Sequence, residues 1–173
     1  MLKNQTEFAA NSKALIRDAK LHETDQILSL MRDLAEFEGY ISAFNITEED
    51  LKKRCFEEGD FSILVAQVGS KVEGILVYYY LPFTYDLTPW MFIKELYISA
   101  ECRSLGLGKQ LMKAAARACI RKGGSKICWQ VLADNGAAQG FYTGLGAQKD
   151  PLWDNFKLTG NALSALAKSG EIK

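Results

Sequence analysis

Two consecutive stretches in the middle of the chain, 61–68 and 72–81, are rich in β-branched and aromatic residues. The short segment Gly69-Ser70-Lys71 separates them, and this arrangement predicts a β-hairpin. Apolar residues at helical spacing occur on both sides of the hairpin, and such mixing of strands and helices indicates a layered α/β fold. A chain of 173 residues with 48% hydrophobic residues suits one domain of this kind.

The predicted order of elements is β-α-α-β-β-β-α-β-α-β-α. Strands are expected at 14–19, 61–68, 72–81, 91–98, 125–132 and 153–158, and helices at 23–37, 47–58, 108–122, 136–145 and 161–168. A capping-box pattern from Thr47 to Asp50 opens the second helix. We expect a mixed central sheet with helices on both faces, in one domain of residues 13–173 that follows a flexible extension of residues 1–12.

Charge and composition restrict the class of function. The chain has 21 Lys and Arg residues and 21 Asp and Glu residues, and a neutral balance argues against broad binding of nucleic acids or anionic membranes. Its polar first residues contain no hydrophobic segment of a signal peptide. We therefore expect a cytoplasmic protein whose four cysteines, none in CxxC spacing, are reduced: Cys55, Cys102, Cys119 and Cys128.

His22 is the single histidine of the sequence. Zinc sites built on several histidines are therefore excluded, and Ser–His or Cys–His nucleophiles are excluded unless His22 serves. We expect no metal.

A glycine-containing loop lies between the predicted strand 91–98 and the predicted helix 108–122. Its sequence is Arg103-Ser104-Leu105-Gly106-Leu107-Gly108-Lys109. Glycines let the backbone turn tightly and leave N–H groups uncovered, and a helix N-terminus behind them favours a phosphate. A P-loop and a dinucleotide fingerprint are both excluded, because Gln110 follows Lys109 and Leu111 stands where a third glycine is needed.

The loop fits the pattern R/Q-x-x-G-x-G/A, and with it the chain resembles the GNAT superfamily of acetyl-CoA-dependent N-acetyltransferases. A second match is the V-x-x-x-N-x-x-A-x-x-F-Y-x-x-x-G stretch of residues 131–147. The resemblance extends over residues 14–158. Segments 34–38, 95–97 and 153–158 resemble the branch of diamine (spermidine/spermine) and thialysine acetyltransferases.

This resemblance implies acetyl-CoA as co-substrate, a homodimer, and direct transfer of the acetyl group to an amine. It implies that the cofactor is held by the loop residues Arg103 to Lys109 and by the following residues: Leu96, Tyr97, Ile98, Asn135 and Ala138. Tyr142 is expected to protonate the departing thiolate, and Glu95 to pass the proton of the amine to water. The expected acceptor-side residues are Phe37, Glu38, Lys94, Cys128, Trp129 and Gln130.

Lys94 departs from the branch pattern, which has two adjacent acids at this point. A lysine repels a polycationic acceptor, so a polyamine, a lysine-like amino acid, a monoamine or an acceptor with a carboxylate all stay open. Because side chains alternate between the two faces of a strand, Lys94 can point either to the acceptor or to solvent. Two other functions also stay open, namely acetylation of a protein N-terminus or lysine, and a non-catalytic acyl-CoA sensor.

Overall fold

The computed structural model describes residues 14–82 and 84–168. The predicted extension of residues 1–12, Phe83 and residues 169–173 lie outside the described residues.

Five strands form one sheet in chain order, β1 to β5. Their bounds are β1 Leu15–Asp18, β2 Ser62–Val68, β3 Lys71–Leu81, β4 Trp90–Ile98 and β5 Lys126–Trp129. The pairs β1–β2, β2–β3 and β3–β4 are antiparallel, whereas β5 runs parallel to β4. The predicted mixed sheet and the predicted hairpin are therefore confirmed.

Among the described residues, five α-helices connect and flank these strands. Their bounds are α1 Thr24–Phe37, α2 Glu48–Leu51, α3 Leu107–Arg121, α4 Gly136–Thr143 and α5 Gly160–Lys168. The predicted helix 47–58 keeps α-helical geometry only in its first turn and continues as a π-helix, Lys52–Glu57. The predicted capping box is present, because Thr47 N donates to Asp50 Oδ2 over 2.9 Å and Asp50 N donates to Thr47 Oγ1 over 3.2 Å.

Both faces of the sheet are covered. Ile63 and Val65 of β2 pack in one core cluster with Ile27 of α1 and Leu51 of α2. The alternate residue Leu64 is also buried, although its side chain points to the opposite face. Helix α3 contacts the strands as well and contributes buried residues of its own. The sequence prediction of helices on both faces is thereby confirmed.

Two predicted strands differ from the structure. The fifth strand ends at Trp129 rather than at residue 132, and residues 153–158 form no strand. Trp153 is 76% and Phe156 95% exposed. Apolar residues favour a strand only where a neighbouring backbone satisfies their N–H and C=O groups, and within the described chain segment 153–158 has no ladder partner.

The chain divides into two compact units, of which one runs to Asn135 and the other begins at Gly136. The first unit contains the whole sheet and helices α1 to α3. The second contains α4 and α5. Its helix α4 ends in a turn in which the N–H groups of Leu145 and Ala147 both donate to the carbonyl oxygen of Tyr142.

Candidate active site

A β-bulge in β4 determines where the predicted acceptor-side residues point. Val77 of β3 pairs with Glu95, but the next residue, Tyr78, pairs with Ile93, so Lys94 is an extra residue in β4. A bulge breaks the alternation of side chains and re-aims them locally. Lys94 and Glu95 consequently line the same cavity, although adjacent strand residues would otherwise face opposite ways.

The cavity lined by Lys94 and Glu95 has a volume of about 660 Å³, which lies within the range of small-molecule sites. Its lining comes from α1, the following loop, α2 with its π-helix, and strands β3 and β4. The lining residues are Met31, Ala43, Asn45, Ile46, Asp50, Leu51, Arg54, Asp60, Phe61, Val77, Tyr79, Lys94 and Glu95.

Glu95 has the chemistry of a proton acceptor. Its Oε2 atom is buried and has no hydrogen-bond partner among the described residues. Burial raises the pKa of the Glu95 carboxyl; Lys94 lowers it in part, and the negative charge of Glu38 raises it further. A carboxylate with a raised pKa binds a proton more tightly than an exposed one, as a general base near neutral pH requires.

Tyr40 belongs to the same electrostatic environment. Burial raises the pKa of the Tyr40 phenol to about 12, and the charges of Glu95 and Glu38 add to this effect. Tyr40 is therefore neutral at physiological pH, and its hydroxyl stays available as a hydrogen-bond donor near the two carboxylates.

The strand pair β4–β5 opens beyond the bulge. Its ladder runs from Trp90 with Lys126 to Ile93 with Trp129, and β4 continues for five residues after β5 has ended. Leu96, Tyr97 and Ile98 therefore have no ladder partner on the β5 side among the described strands. Backbone N–H and C=O groups on such an edge must bond elsewhere, which suits the amide-rich arm of coenzyme A.

The glycine loop precedes α3 with a left-handed backbone. Ser104 has φ +65° and Gly106 has φ +77°, and a Cβ atom added to Gly106 would meet no other atom within 4 Å. The first hydrogen bond of the helix runs from Gln110 N to Gly106 O, so Leu107, Gly108 and Lys109 carry the free N–H groups of a helix start. Open space beside these donors fits a pyrophosphate.

Arg103 connects the loop to the end of α1. Its guanidinium lies over the ring of Phe37, 5.6 Å from the ring centre, and over the ring of Tyr97 at 5.5 Å. Its Nε atom also donates to the carbonyl oxygen of Ile98 over 3.4 Å. Arg103 thus contacts Phe37, which was predicted for the acceptor side, and also Tyr97 and Ile98, which were predicted for the cofactor.

Of the predicted acceptor-side residues, the cavity lining among the described residues contains Lys94 but not the other five. Phe37 and Glu38 are exposed at the end of α1 and do not belong to the cavity lining. Cys128 and Trp129 are half-buried in β5 beside Phe92 and Ile93, and Gln130 follows directly after the strand.

Asn135 is a half-buried residue at the end of the first unit. In the second unit, Ala138 and Tyr142 are four residues apart on α4, so they share one face of that helix. The rings of Phe141 and Tyr142 pack edge to face with centres 5.0 Å apart.

Sequence reasoning did not identify the helical wall of the cavity. Asp50, Arg54 and Asp60 all line it, and Arg54 Nε donates to Asp60 Oδ2 over 2.7 Å. Tyr79 lines it from β3. The charges around α2 resemble those of any solvated helix, so no sequence signal separates them from an ordinary surface.

Within the described residues no group of three or more potential ligands is arranged to hold a metal ion. None of the helices described between residues 14 and 168 combines the length and the apolar character that a membrane crossing requires.

Comparison with known proteins adds independent evidence. Residues 26–147 match the model of the acetyltransferase (GNAT) family. The chain is 32% identical over 164 residues to the thialysine N-epsilon-acetyltransferase of Bos taurus, a match that covers 88% of this chain and 96% of the relative. It is 28% identical to the spermidine/spermine N(1)-acetyltransferase-like protein 1 of Homo sapiens over 76% of this chain and 20% of that protein.

A solved structure is similar over almost the same length. It is an integron cassette protein from the mobile metagenome of V. cholerae, with a TM-score of 0.77 and 26% identity over 90% of this chain and 98% of that one. The family match continues from the first compact unit into the second, so both units are parts of one domain. Because that match spans most of the sequence and a relative matches nearly end to end, the chain belongs to the GNAT family of acetyltransferases.

Proposed function

We propose that this chain transfers the acetyl group of acetyl-CoA directly to the primary amine of a small molecule. The observation that carries this proposal is Glu95, which lines a cavity of small-molecule size and has a buried oxygen without a hydrogen-bond partner among the described residues. The relatives named for thialysine and for spermidine/spermine support a small amine as the acceptor.

The residues present fit acetyl-CoA. The open space beside Gly106 and the free N–H groups at the start of α3 would accept its pyrophosphate. The edge of β4 from Leu96 to Ile98, which has no ladder partner on the β5 side among the described strands, would hold its pantetheine arm, together with Asn135. Ala138 is a further candidate on α4. Acetyl-CoA supplies an acyl group that its thioester activates for attack by an amine.

The acceptor must lose a proton before or during the reaction. An alkyl amine with a pKa of about 10.4 is protonated at pH 7, and removal of the proton costs about 4.6 kcal/mol for a difference of about 3.4 pKa units. Glu95 accepts this proton and passes it to water. The low polarity that raises the pKa of Glu95 also disfavours the charged form of an amine placed beside it.

Tyr142 has the complementary role of a proton donor. A phenol has a pKa of about 10 and a thiol about 8.5, so the hydroxyl of Tyr142 is a reasonable acid for a departing thiolate. The position of Tyr142 in the motif of residues 131–147, two helical turns after Asn135, supports this assignment.

We further infer that the protein is a cytoplasmic homodimer whose domain comprises residues 13–173. The four cysteines are free thiols, as expected in a reducing compartment. The exposed apolar side chains of Trp153 and Phe156 support burial against a second copy.

A panel of amines tests the proposed function. The purified protein is incubated with acetyl-CoA and with amino acids, diamines, polyamines, monoamines or peptides, and the products are identified by mass spectrometry. We expect an acetylated small amine in amounts equal to the released CoA. Acetylation confined to peptides would contradict the proposal and favour a protein acetyltransferase, and binding of acetyl-CoA without turnover would favour a sensor.

A further inference from the structure

Side chains of both charges line the cavity of Lys94 and Glu95, which the proposed function makes the acceptor cavity. Lys94 reaches it from the bulge of β4 and Arg54 from the π-helix, alongside the carboxylates of Glu95, Asp50 and Asp60. A site for a molecule that carries only ammonium groups gains nothing from cations in its wall, because like charges repel. Two cations in this wall therefore point to a negative group on the acceptor.

Lys94 is available for such a group. It forms no salt bridge within the described residues, and it is exposed whereas the neighbouring Glu95 is half-buried. The bulge directs both side chains to one cavity. The charge of Lys94 acts on the Glu95 carboxyl, so a cation and a proton acceptor lie near each other in the wall of one cavity.

Arg54 lines the same cavity and is oriented by its own segment. Its Nε atom donates to Asp60 Oδ2 over 2.7 Å, and its carbonyl oxygen accepts from Asp60 N over 2.9 Å. Within residues 14–82 and 84–168, its two terminal nitrogens form no hydrogen bond. The planar guanidinium matches the geometry of a carboxylate, and Asp60 beside it presents the charge that an adjacent ammonium would need.

We propose that Lys94 and Arg54 form a carboxylate-binding subsite of the acceptor cavity. The preferred acceptor is then an α-amino acid whose side-chain amine reacts next to Glu95 while its carboxylate lies between the two cations. This inference rests on the proposed function and adds to it the class of the acceptor and the residues that select it.

The test compares amines that differ only in the carboxylate. Lysine and cadaverine form one such pair, and ornithine and putrescine form another. For each pair, kcat/KM is measured with the wild type, with Lys94→Gln and with Arg54→Gln. Lys71→Gln is the matched control, because Lys71 is an exposed lysine at the start of β3 outside the cavity lining.

We expect the wild type to prefer the amino acid of each pair by about 10-fold or more, which corresponds to about 1.4 kcal/mol. Each cavity variant should reduce this preference about 10-fold, chiefly through KM of the amino acid, while kcat/KM of the diamine stays equal or rises. The Lys71→Gln control should keep the preference of the wild type.

Equal use of amino acids and diamines by the wild type would overturn the inference but leave the proposed function intact. A preference for amino acids that neither Lys94→Gln nor Arg54→Gln reduces would also overturn it. If none of the four amines is acetylated while another small amine of the panel is, the inference fails and the proposed function stands. If no small amine of the panel is acetylated although acetyl-CoA binds, both fail.

Discussion

Replacement of Glu95 by glutamine should impair catalysis and stabilise the fold at the same time. Gln keeps the shape of the side chain but has no negative charge and does not accept the proton of the amine. One carboxylate oxygen of Glu95 is buried and has no hydrogen-bond partner in the described part of the chain, and a buried unpaired charge costs free energy. Activity and stability are thus expected to change in opposite directions.

The size of the catalytic effect follows from the proton transfer. An amine of pKa about 10.4 and an ordinary carboxyl of pKa about 4.3 differ by about 6.1 units, or about 8 kcal/mol. Burial raises the pKa of Glu95 and narrows this gap. A positioned general base contributes about 10²–10⁴-fold, so we expect Glu95→Gln to lower kcat/KM by that factor.

The pH dependence separates this role from a structural one. In the wild type, kcat/KM should rise with pH as Glu95 loses its proton, with a midpoint above the usual carboxyl range, and this limb should vanish in Glu95→Gln. The native state binds this proton more tightly than the unfolded state, so the unfolding free energy of the wild type falls as pH rises from the usual carboxyl pKa to the raised pKa. The unfolding free energy of Glu95→Gln should not fall over this pH range.

The assay combines pH–rate profiles with chemical denaturation over the same pH range. Glu57→Gln is the control, because Glu57 is exposed at the end of the π-helix and does not line the cavity. A Glu95→Gln variant with the rate and pH profile of the wild type would refute the role of Glu95 as proton acceptor.

Three further predictions concern other parts of the molecule. Gly106→Val should weaken CoA binding by about 10-fold or more, which calorimetry would measure as about 1.4 kcal/mol. The control Gly123→Val, at φ +79° and in equally open space, should leave CoA binding unchanged. Equal CoA affinity of the two variants would show that the glycine loop does not bind CoA. Tyr142→Phe should lower kcat by about 10²–10⁴-fold with CoA affinity retained, and an unchanged chemical step would leave Tyr142 a packing residue. Glu23→Gln should lower the free energy of unfolding by about 3–5 kcal/mol at pH 7, because Glu23 is buried and paired with Arg17, which lowers the pKa of its carboxyl. Denaturation curves should show this difference disappear as pH falls below the usual carboxyl range through the lowered pKa. A difference that does not change with pH would contradict the prediction.

Local patterns predicted most of the fold because they depend on short-range physics. The apolar spacing of 23–37 predicts α1, which the structure begins at Thr24 and ends at Phe37. The side-chain bonds of Thr47 and Asp50 were likewise readable from the sequence. The glycine loop ends in a helix that starts one residue before the predicted position.

The rest depended on contacts between distant segments. The bulge at Lys94 arises from its register with β3, which no local pattern specifies, and it decides that Lys94 and Glu95 share a cavity. Segment 153–158 has strand-like composition, but the described sheet contains no strand from it. Arg54 and Asp60 became candidates only when the fold placed the π-helix beside the cavity.

A single-turnover experiment tests the central claim of direct acetyl transfer to a small amine. Excess protein is mixed with acetyl-CoA and the best amine of the panel, the reaction is quenched at intervals, and acetylated amine, free CoA and intact protein mass are measured in the same samples. We predict that acetylated amine and CoA appear together at one rate, with no acetylated protein at any time. Acetylated protein that forms first and then decays as product appears would contradict direct transfer.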